Sequence, residues 1–449
     1  MFANALNYIK AIPNNIFTAF KRKPIAEIYL YIIAALYPIL PSYFVLLGAR
    51  VYTFLAIGCL LLLITTPQIK SLKLSGPKII IVSIIGITLI IPSIINNEIS
   101  TTGFLSYISN YLIIPIYFAV LVDSKEKFDR CINILLISAA IIGAFSLLEQ
   151  VGFNVFSLLE TQKMVGVGSS SGDRFGIYRA ESSFGQPISY GIYLTFIVCL
   201  VYYKLFKAEN QTRFKQNFYL ITLFYFNVLV FLTVSRMPIV VAIVANIVLF
   251  FKLCKRSKIK VGIALGVIAI GTVIIAIAKG GSSSFITLFE NIFQIFTGTT
   301  QSKSANPFYF RLSLYSYSKK VIGNDIFFGR GLHTNQIFFV YNEYGGFFRH
   351  MSFDNGYLSV YVNQGIFGIF SWVAFCYFTI VAIIFSYNKE NSYICLPFVV
   401  LIAVYLLNMF SVARLDESRA FVVIIGCFLG MHHYVFDNQP QTKKVTQTA

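Results

Sequence analysis

Long apolar runs separated by short polar connections make up most of this chain. The hydrocarbon core of a bilayer is about 30 Å thick, so each helical crossing needs roughly 20 apolar residues. Backbone groups in lipid must find hydrogen bonds within their own segment, and the runs lack the period-2 alternation of a membrane barrel. The pattern therefore predicts an all-α, polytopic helical bundle with about 12 transmembrane helices, near residues 27–48, 51–66, 79–95, 104–122, 131–152, 188–206, 217–234, 237–251, 261–278, 357–386, 393–411 and 420–436.

Two connections are much longer than the rest and carry most of the polar sequence. Residues 1–26 place apolar side chains at helical spacing among lysines, which is typical of a helix lying in the membrane interface. The predicted organisation is an amphipathic cytoplasmic-side segment at 1–26, transmembrane helices 1–5 at 27–152, a first outer loop at 153–187, helices 6–9 at 188–279, a large outer loop at 280–356, helices 10–12 at 357–436 and a cytoplasmic tail at 437–449.

The basic residues are unevenly divided between the two sides of this arrangement. Alternate connections place 22 Lys and Arg on the side of both termini and 14 on the other side, while acidic residues divide 7 to 11. An excess of Lys and Arg marks the cytoplasmic side of a membrane protein. Both termini are therefore predicted in the cytoplasm and both long loops on the outer face. Topology accounts for the net charge of +18, and no nucleic-acid partner is expected.

Composition and missing motifs exclude several classes of function. Hydrophobic residues make up 57% of the chain and charged residues 12%, which does not fit a soluble domain of 449 residues. There is no phosphate-binding motif ending in Gly-Lys-Ser/Thr, and no cytoplasmic connection is long enough for a nucleotide-binding domain. All seven cysteines lie in spans or at their cytoplasmic ends, so a disulfide framework is not expected. Without an Asp-x-Asp motif or a dense cluster of His and carboxylates, no metal or other cofactor is expected.

Several arginines stand at the outer ends of spans, in very short connections. Arg50 and Arg236 lie in two such hairpins, and Arg414 and Arg419 border a third. A guanidinium held at the membrane surface can bind a diphosphate through two parallel hydrogen bonds, whereas lysine acts as a point charge. The alternative is that these arginines only extend to lipid phosphates.

The two long loops carry the other candidates for binding and catalysis. A histidine or a carboxylate there can take a proton from a sugar hydroxyl, because the pKa of either can be tuned toward neutrality. The alternative is a solvated loop in which the histidines are structural. The candidates are Arg174, Arg179 and Glu181 in the first loop, and His333, His350 and an amphipathic segment from Arg311 to Ile322 in the second.

A series of short motifs runs through these loops in a fixed order. Their order and their sidedness resemble the O-antigen ligase and polymerase superfamily, over about residues 170–370. The motifs are Arg174-x10-Gly185, Thr-Val-Ser-Arg at 233–236, a segment beginning at Arg311 that leads to Phe-Phe-Gly-Arg-Gly at 327–331, Asp-Asn-Gly-Tyr-Leu at 354–358 and Asn-Gln-Gly-Ile-Phe-Gly at 363–368.

The resemblance implies a bacterial inner-membrane enzyme that transfers sugars without a metal on the periplasmic face. The two long loops would then be periplasmic. Its donor would be an oligosaccharide linked to undecaprenyl diphosphate, and a chain-length regulator protein is an expected partner. Carried over by motif, Arg236, Arg174, Arg179 and Arg311 would bind diphosphate or glycan.

One departure from the family pattern bears on the reaction. Ligases typically have a histidine before the asparagine of the second loop, whereas this chain has Asp354 before Asn355. The departure favours a polymerase that joins lipid-linked repeat units over a ligase that transfers polymer to lipid A core, and a flippase is a third alternative. Whether His350 or Asp354 is the base stays open. The predicted site comprises His350, Asp354 and Arg236 as catalytic residues, with Arg174, Arg179, Glu181, Arg311, His333, Asn355 and Arg414 binding substrate.

Overall fold

The computed structural model shows a mostly helical protein, as the apolar pattern predicts. Among the residues that the structure describes, four helices are long and apolar enough to cross a membrane, and several shorter apolar helices accompany them. The chain is therefore an integral membrane protein. The structure describes residues 25–41, 43–46, 49–65, 91, 95, 108–156, 178–208, 212–254, 257–263, 265–267, 307–331, 338–341, 347–350, 355–385, 392–410 and 419–437.

The helices fall where the apolar runs lie, in most cases within a few residues at each end. The long candidates for membrane crossing are α4, α5, α6 and the first part of α9. The helices are α1 (Ile25–Leu36), α2 (Val51–Thr65), a π-helical turn (Ser109–Ile113) continuing into α3 (Ile114–Leu121), α4 (Lys125–Glu149), α5 (Pro187–Ala208), α6 (Arg213–Leu232), α7 (Arg236–Phe250), α8 (Pro307–Ile322), α9 (Gly356–Phe385), α10 (Ser392–Asn408) and α11 (Arg419–Asp437).

Three local predictions need correction. The span predicted at 27–48 is helical only to Leu36, because Pro38 and Pro41 lack the N–H groups that a helix needs to continue. The amphipathic segment predicted to begin at Arg311 begins at Pro307, a residue type well suited to the first helical turn. The fold is also not purely helical. The described part of the chain contains two antiparallel strand pairs, β1 (Val45–Leu46) with β2 (Ala49–Arg50) and β3 (Phe338–Tyr341) with β4 (Phe347–His350).

The antiparallel packing of the helices sorts their ends into two groups. At one end, Asp129 near the start of α4 forms ion pairs with Lys204 and Lys207 near the end of α5. Glu27 at the start of α1 approaches Arg130 to 3.9 Å at the same end, which we call the lysine end. The opposite end, which we call the arginine end, holds Arg50, Arg179, Arg236 and Arg419.

Helix α5 forms the centre of the bundle and packs against α4, α6, α7 and α10. Its apolar side chains are buried along almost its whole length. A polar contact ties it to its neighbours: Tyr202 donates to Asn246 Oδ1 at 3.0 Å, and Asn246 Nδ2 donates to Asn227 Oδ1 at 2.7 Å. Hydrogen bonds between membrane helices contribute about 0.6–2 kcal/mol each. They fix α6 and α7, and hence the hairpin that joins them, against α5.

Helix α9 is broken at Gly365, where the backbone takes φ 67° and ψ −160°. Residues 326–331 lie along the break and replace the hydrogen bonds that it interrupts. Arg330 N donates to the Val362 carbonyl at 2.8 Å, and Ile366 N donates to the Ile326 carbonyl at 2.9 Å. The Phe-Phe-Gly-Arg-Gly and Asn-Gln-Gly-Ile-Phe-Gly motifs are therefore the two halves of one structural unit.

Gly329 is expected to tolerate no side chain, because an ideal Cβ there would lie 2.4 Å from Gln364 N at a backbone φ of 67°. Gly329→Ala should destabilise the folded protein by about 2–5 kcal/mol, combining left-handed strain of roughly 1–2 kcal/mol with overpacking of roughly 1–3 kcal/mol. Thermal unfolding in detergent measures the loss. Gly152→Ala is the matched control, because Gly152 also has a positive φ but no atom within 4 Å of its ideal Cβ. Equal stability losses in the two variants would contradict the close packing of Gly329 against the break in α9.

Candidate active site at the arginine end

The hairpin Thr233–Ser235 joins α6 to α7 and places Arg236 at the first position of α7. Val234 takes a left-handed φ of 48°, which turns the chain within three residues. Helix α5 packs closely against the first turn of α7, next to the hairpin: an ideal Cβ at Gly191 would lie 2.7 Å from Pro238 Cβ. A cation at a helix N-terminus adds to the positive potential of the helix dipole there. The hairpin is therefore a position that attracts anions.

A second arginine reaches this hairpin from the end of the first long loop. Arg179 Nε donates to the Thr233 carbonyl at 3.4 Å, and Arg179 Nη2 donates to Ser235 Oγ at 3.2 Å. The backbone joins in, because Ala180 N donates to the Leu232 carbonyl at 3.0 Å. Arg179 is thus placed beside Arg236, although 56 residues separate them in sequence.

The segment that carries Arg179, residues 178–186, is held by the end of α4. Glu149 Oε2 accepts hydrogen bonds from Glu181 N and Ser182 N, each at 3.1 Å. Gln150 Nε2 donates to the Tyr178 carbonyl at 3.0 Å. The predicted binding residue Glu181 therefore lies in this assembly, and its backbone N–H contacts α4.

Another pair of arginines surrounds Tyr52 at the same end of the bundle. Arg419 lies 4.8 Å and Arg50 lies 5.9 Å from the centre of the Tyr52 ring, each measured from Cζ. Arg419 also donates to the Leu40 carbonyl at 2.6 Å, and Arg50 donates to the Tyr52 hydroxyl at 2.7 Å. Arg419 is only 3% exposed, so it joins the start of α11 to the turn after α1. Arg50 is the more exposed of the two.

The second long loop returns to the bundle at Asn355. Asn355 Oδ1 accepts from Tyr357 N at 2.9 Å and from Leu358 N at 3.2 Å, which caps the start of α9. Gly356 N donates to the Met409 carbonyl just after α10, so the start of α9 is fixed at the arginine end. Asn355 therefore has a clear role in capping a helix, and its predicted role in binding substrate stays a prediction.

Two further predicted site residues, His350 and Arg311, lie in a strand and a helix of the second long loop. His350 ends strand β4, opposite Phe338, so the stretch that leads to Asp354 does not begin as a helix. Arg311 lies in the first turns of α8. Arg174, His333, Asp354 and Arg414 lie outside the described residues, as do the side chains of His350 and Arg311.

Sequence reasoning did not assign Glu149, Thr233 or Ser235 to the site. Glu149 is 2% exposed and follows a run without charged residues from 131 to 148, which is an informative position for a carboxylate. Thr233 and Ser235 belong to the Thr-Val-Ser-Arg motif, but only their contacts with Arg179 give them a part in the site. Within the described residues there is no group of three or more His, Cys, Asp or Glu arranged to hold a metal.

The geometry of the arginine end suits an anionic headgroup at the membrane surface. The Arg179 guanidinium bonds to Thr233 and Ser235, and Arg236 is the first residue of the 15-residue helix that follows them. Guanidinium forks and helix N-termini both bind phosphate well. Apolar helices surround the hairpin, so a lipid carrying such a headgroup can approach it from the bilayer.

Comparison with known protein families supports this interpretation. The family model described as O-Antigen ligase, Wzy_C, matches residues 218–373, which include most of α6, all of α7 and the broken part of α9. The match supports membership of the O-antigen ligase and polymerase superfamily. Members of this family are membrane enzymes of the glycosyltransferase type, and the family implies lipid-linked polysaccharide substrates. No curated protein matches the chain.

Proposed function

We propose that this chain, whose match supports membership of the O-antigen ligase and polymerase superfamily, is a polysaccharide polymerase of the bacterial inner membrane. It would join oligosaccharide repeat units that are linked to undecaprenyl diphosphate, on the periplasmic face. One lipid-linked chain serves as donor and another unit as acceptor. The reaction needs no energy cofactor in this proposal, because cleavage of the sugar–diphosphate bond supplies the driving force.

The proposal rests on the contact of Arg179 with the hairpin that immediately precedes Arg236. Arg179 contacts Thr233 and Ser235, and Arg236 follows directly in the chain. Both arginines are partly exposed, so they can reach a ligand at the membrane surface. A diphosphate leaving group gains negative charge as its bond to sugar breaks, and fixed cations beside it stabilise that charge.

The proposed reaction is one displacement at the anomeric carbon of the donor. The acceptor hydroxyl oxygen forms the new glycosidic bond, the bond between the anomeric carbon and the phosphate oxygen breaks, and undecaprenyl diphosphate leaves. The hydroxyl proton goes to a general base. One of His350 and Asp354 is the proposed base and the other orients the hydroxyl, because both lie in the loop that ends at Asn355, which is fixed at the arginine end.

The printed description of the matching family makes ligation the second candidate function. A ligase would use the same donor and the same arginines but would transfer the finished polymer to lipid A core. Asp354 before Asn355, where ligases typically have histidine, favours polymerisation.

Purified protein in proteoliposomes with lipid-linked repeat units separates the candidate functions. The proposal expects a ladder of polymers without any lipid A core. A product that forms only when core acceptor is added would replace polymerisation by ligation. Movement of the lipid-linked unit across the bilayer without a new glycosidic bond would indicate a flippase and end the proposal.

The arginine end is predicted to face the periplasm, because the predicted topology places 22 Lys and Arg on the opposite side of the membrane and only 14 on this side. Alkaline phosphatase fusions after residues 155 and 300 should be active, and fusions after residues 125, 210 and 256 should be inactive. Fluorescent-protein fusions at the same positions give the complementary readout. If the phosphatase fusion at 300 is inactive and the fluorescent-protein fusion at 300 is fluorescent, the large loop lies in the cytoplasm, which would contradict the proposed function.

A further inference from the structure

Glu149 is a buried carboxylate for which the proposed reaction has no direct use. It lies at the last position of α4, at the arginine end, and is 2% exposed. Its Oε2 accepts two backbone N–H groups, and its Oε1 is buried with no hydrogen-bond partner among the described residues. Glu149 is therefore too enclosed to touch a lipid-linked sugar, yet it contacts the segment that carries Arg179.

We propose that Glu149 is a positioning residue that holds residues 178–186 so that Arg179 stands beside Arg236 for diphosphate binding. The inference rests on the proposed function for the identity of the ligand. It adds a residue outside the matched region 218–373 to the site, and it assigns the first long loop a defined contact with the bundle.

Residues 181 and 182 need an external anchor. Ser182 takes a φ of 49°, a left-handed conformation that costs roughly 1–2 kcal/mol for a residue other than glycine. Such a conformation persists only when its surroundings impose it. The carboxylate of Glu149 does so, because both N–H groups converge on a single oxygen atom and the Ser182 hydroxyl donates to the Ile142 carbonyl on the same helix.

The anchored residues Glu181 and Ser182 follow Arg179 closely in the chain, with only Ala180 between Arg179 and Glu181. Ala180 N donates to the Leu232 carbonyl. The backbone that follows Arg179 is therefore held by α6 at residue 180 and by Glu149 at residues 181 and 182. An arginine side chain has many rotamers, and its guanidinium keeps two bonds to the hairpin only if its Cα is correctly placed. Loss of the anchor should release Arg179 from the hairpin, and binding of a diphosphate should weaken.

Two substitutions of Glu149 separate the position of its acceptor oxygen from its charge. Glutamine keeps the side-chain length and one oxygen that can accept both N–H groups, so Glu149→Gln retains the anchor. Aspartate keeps the charge but is one methylene shorter, so Glu149→Asp withdraws the acceptor from both N–H groups. Length and acceptor position, rather than charge, should therefore decide the outcome.

The test measures the Kd of undecaprenyl diphosphate for the full-length protein in nanodiscs, together with thermal unfolding. We expect Glu149→Ala and Glu149→Asp to raise Kd by about 10-fold or more, and Glu149→Gln to stay within about 3-fold of the wild type. Combining Glu149→Ala with Arg179→Ala should raise Kd no further than Arg179→Ala alone, because both changes remove the same interaction. Glu126→Gln, on the same helix at the lysine end, is the control and should bind as the wild type does.

The possible results separate this inference from the function on which it rests. Wild-type protein that does not bind undecaprenyl diphosphate would contradict the proposed function. Normal binding by Glu149→Asp, or fully additive effects of Glu149→Ala and Arg179→Ala, would overturn the positioning role alone. If Glu149→Ala does not fold, the comparison of Glu149→Gln with Glu149→Asp decides, and equal Kd values in those two variants would also overturn it. A purely structural role would lower the unfolding temperature and leave the Kd of the folded protein unchanged.

Discussion

Arg236→Lys is expected to reduce the rate of polymer formation by about 10²- to 10³-fold, which is the typical cost of losing one donor to developing negative charge. Lysine keeps the positive charge at the start of α7 but cannot hold two oxygens of a diphosphate in a planar fork. The residue lies at the end of the bundle and is partly exposed, so the folded protein should still insert in the membrane. The measurement is the initial rate of polymer synthesis in proteoliposomes at matched protein content.

Arg213→Lys is the control for this variant. Arg213 is also the first residue of a helix, α6, but it lies at the lysine end and is exposed. Its replacement should leave the rate within about 2-fold of the wild type, as surface substitutions usually have small effects. Equal rates for Arg236→Lys and the wild-type protein would reduce Arg236 to an anchor for lipid phosphate.

His350→Ala and Asp354→Asn are expected to lower the polymerisation rate by about 10²- to 10⁴-fold each, the usual contribution of general acid–base catalysis. Asparagine keeps the shape of aspartate and removes its basicity, so Asp354→Asn tests proton transfer rather than packing. Binding of the donor should persist, because the diphosphate is assigned to the arginines. Polymer length in cells and the Kd of undecaprenyl diphosphate measure the two properties separately.

Asp325→Asn provides a matched control in the same loop. Asp325 is exposed, and its Oδ2 lies 3.7 Å from Arg330 Nε. In sequence it is remote from the stretch between His350 and Asn355. Full-length polymer from both His350→Ala and Asp354→Asn cells, at normal expression, would show that neither residue is the base. The enzyme would then act through positioning and stabilisation of the diphosphate.

The course of the bundle could be predicted because apolar runs in a membrane protein admit few structures. Helices α4, α5, α6 and α7 agree with the predicted spans to within about six residues at each end. The predicted tenth span at 357–386 agrees with α9, but its break at Gly365 was not predicted. The helix end at Leu36 was missed because Ile39, Leu40 and Phe44 extend the apolar pattern past two prolines. Hydropathy does not register a missing N–H group.

The candidate site could be predicted only in part, because its residues meet through tertiary contacts. Arg179 and Arg236 were both chosen from sequence, yet no local pattern places Arg179 on Thr233 and Ser235. Glu149 is hidden for the same reason, since its partners are backbone N–H groups of residues 32 and 33 positions away. The docking of Gly329 against the break at Gly365 likewise depends on backbone approach. Glycines in both motifs gave the only sequence signal.

The arginine end of the bundle is proposed to hold the diphosphate of the lipid-linked donor. An electron cryo-microscopy map of the protein in nanodiscs with undecaprenyl diphosphate would show where the diphosphate binds. We expect diphosphate density at the start of α7, within hydrogen-bond distance of the guanidinium groups of Arg179 and Arg236. Density for the diphosphate at the lysine end, beside Lys204 and Lys207, would contradict it.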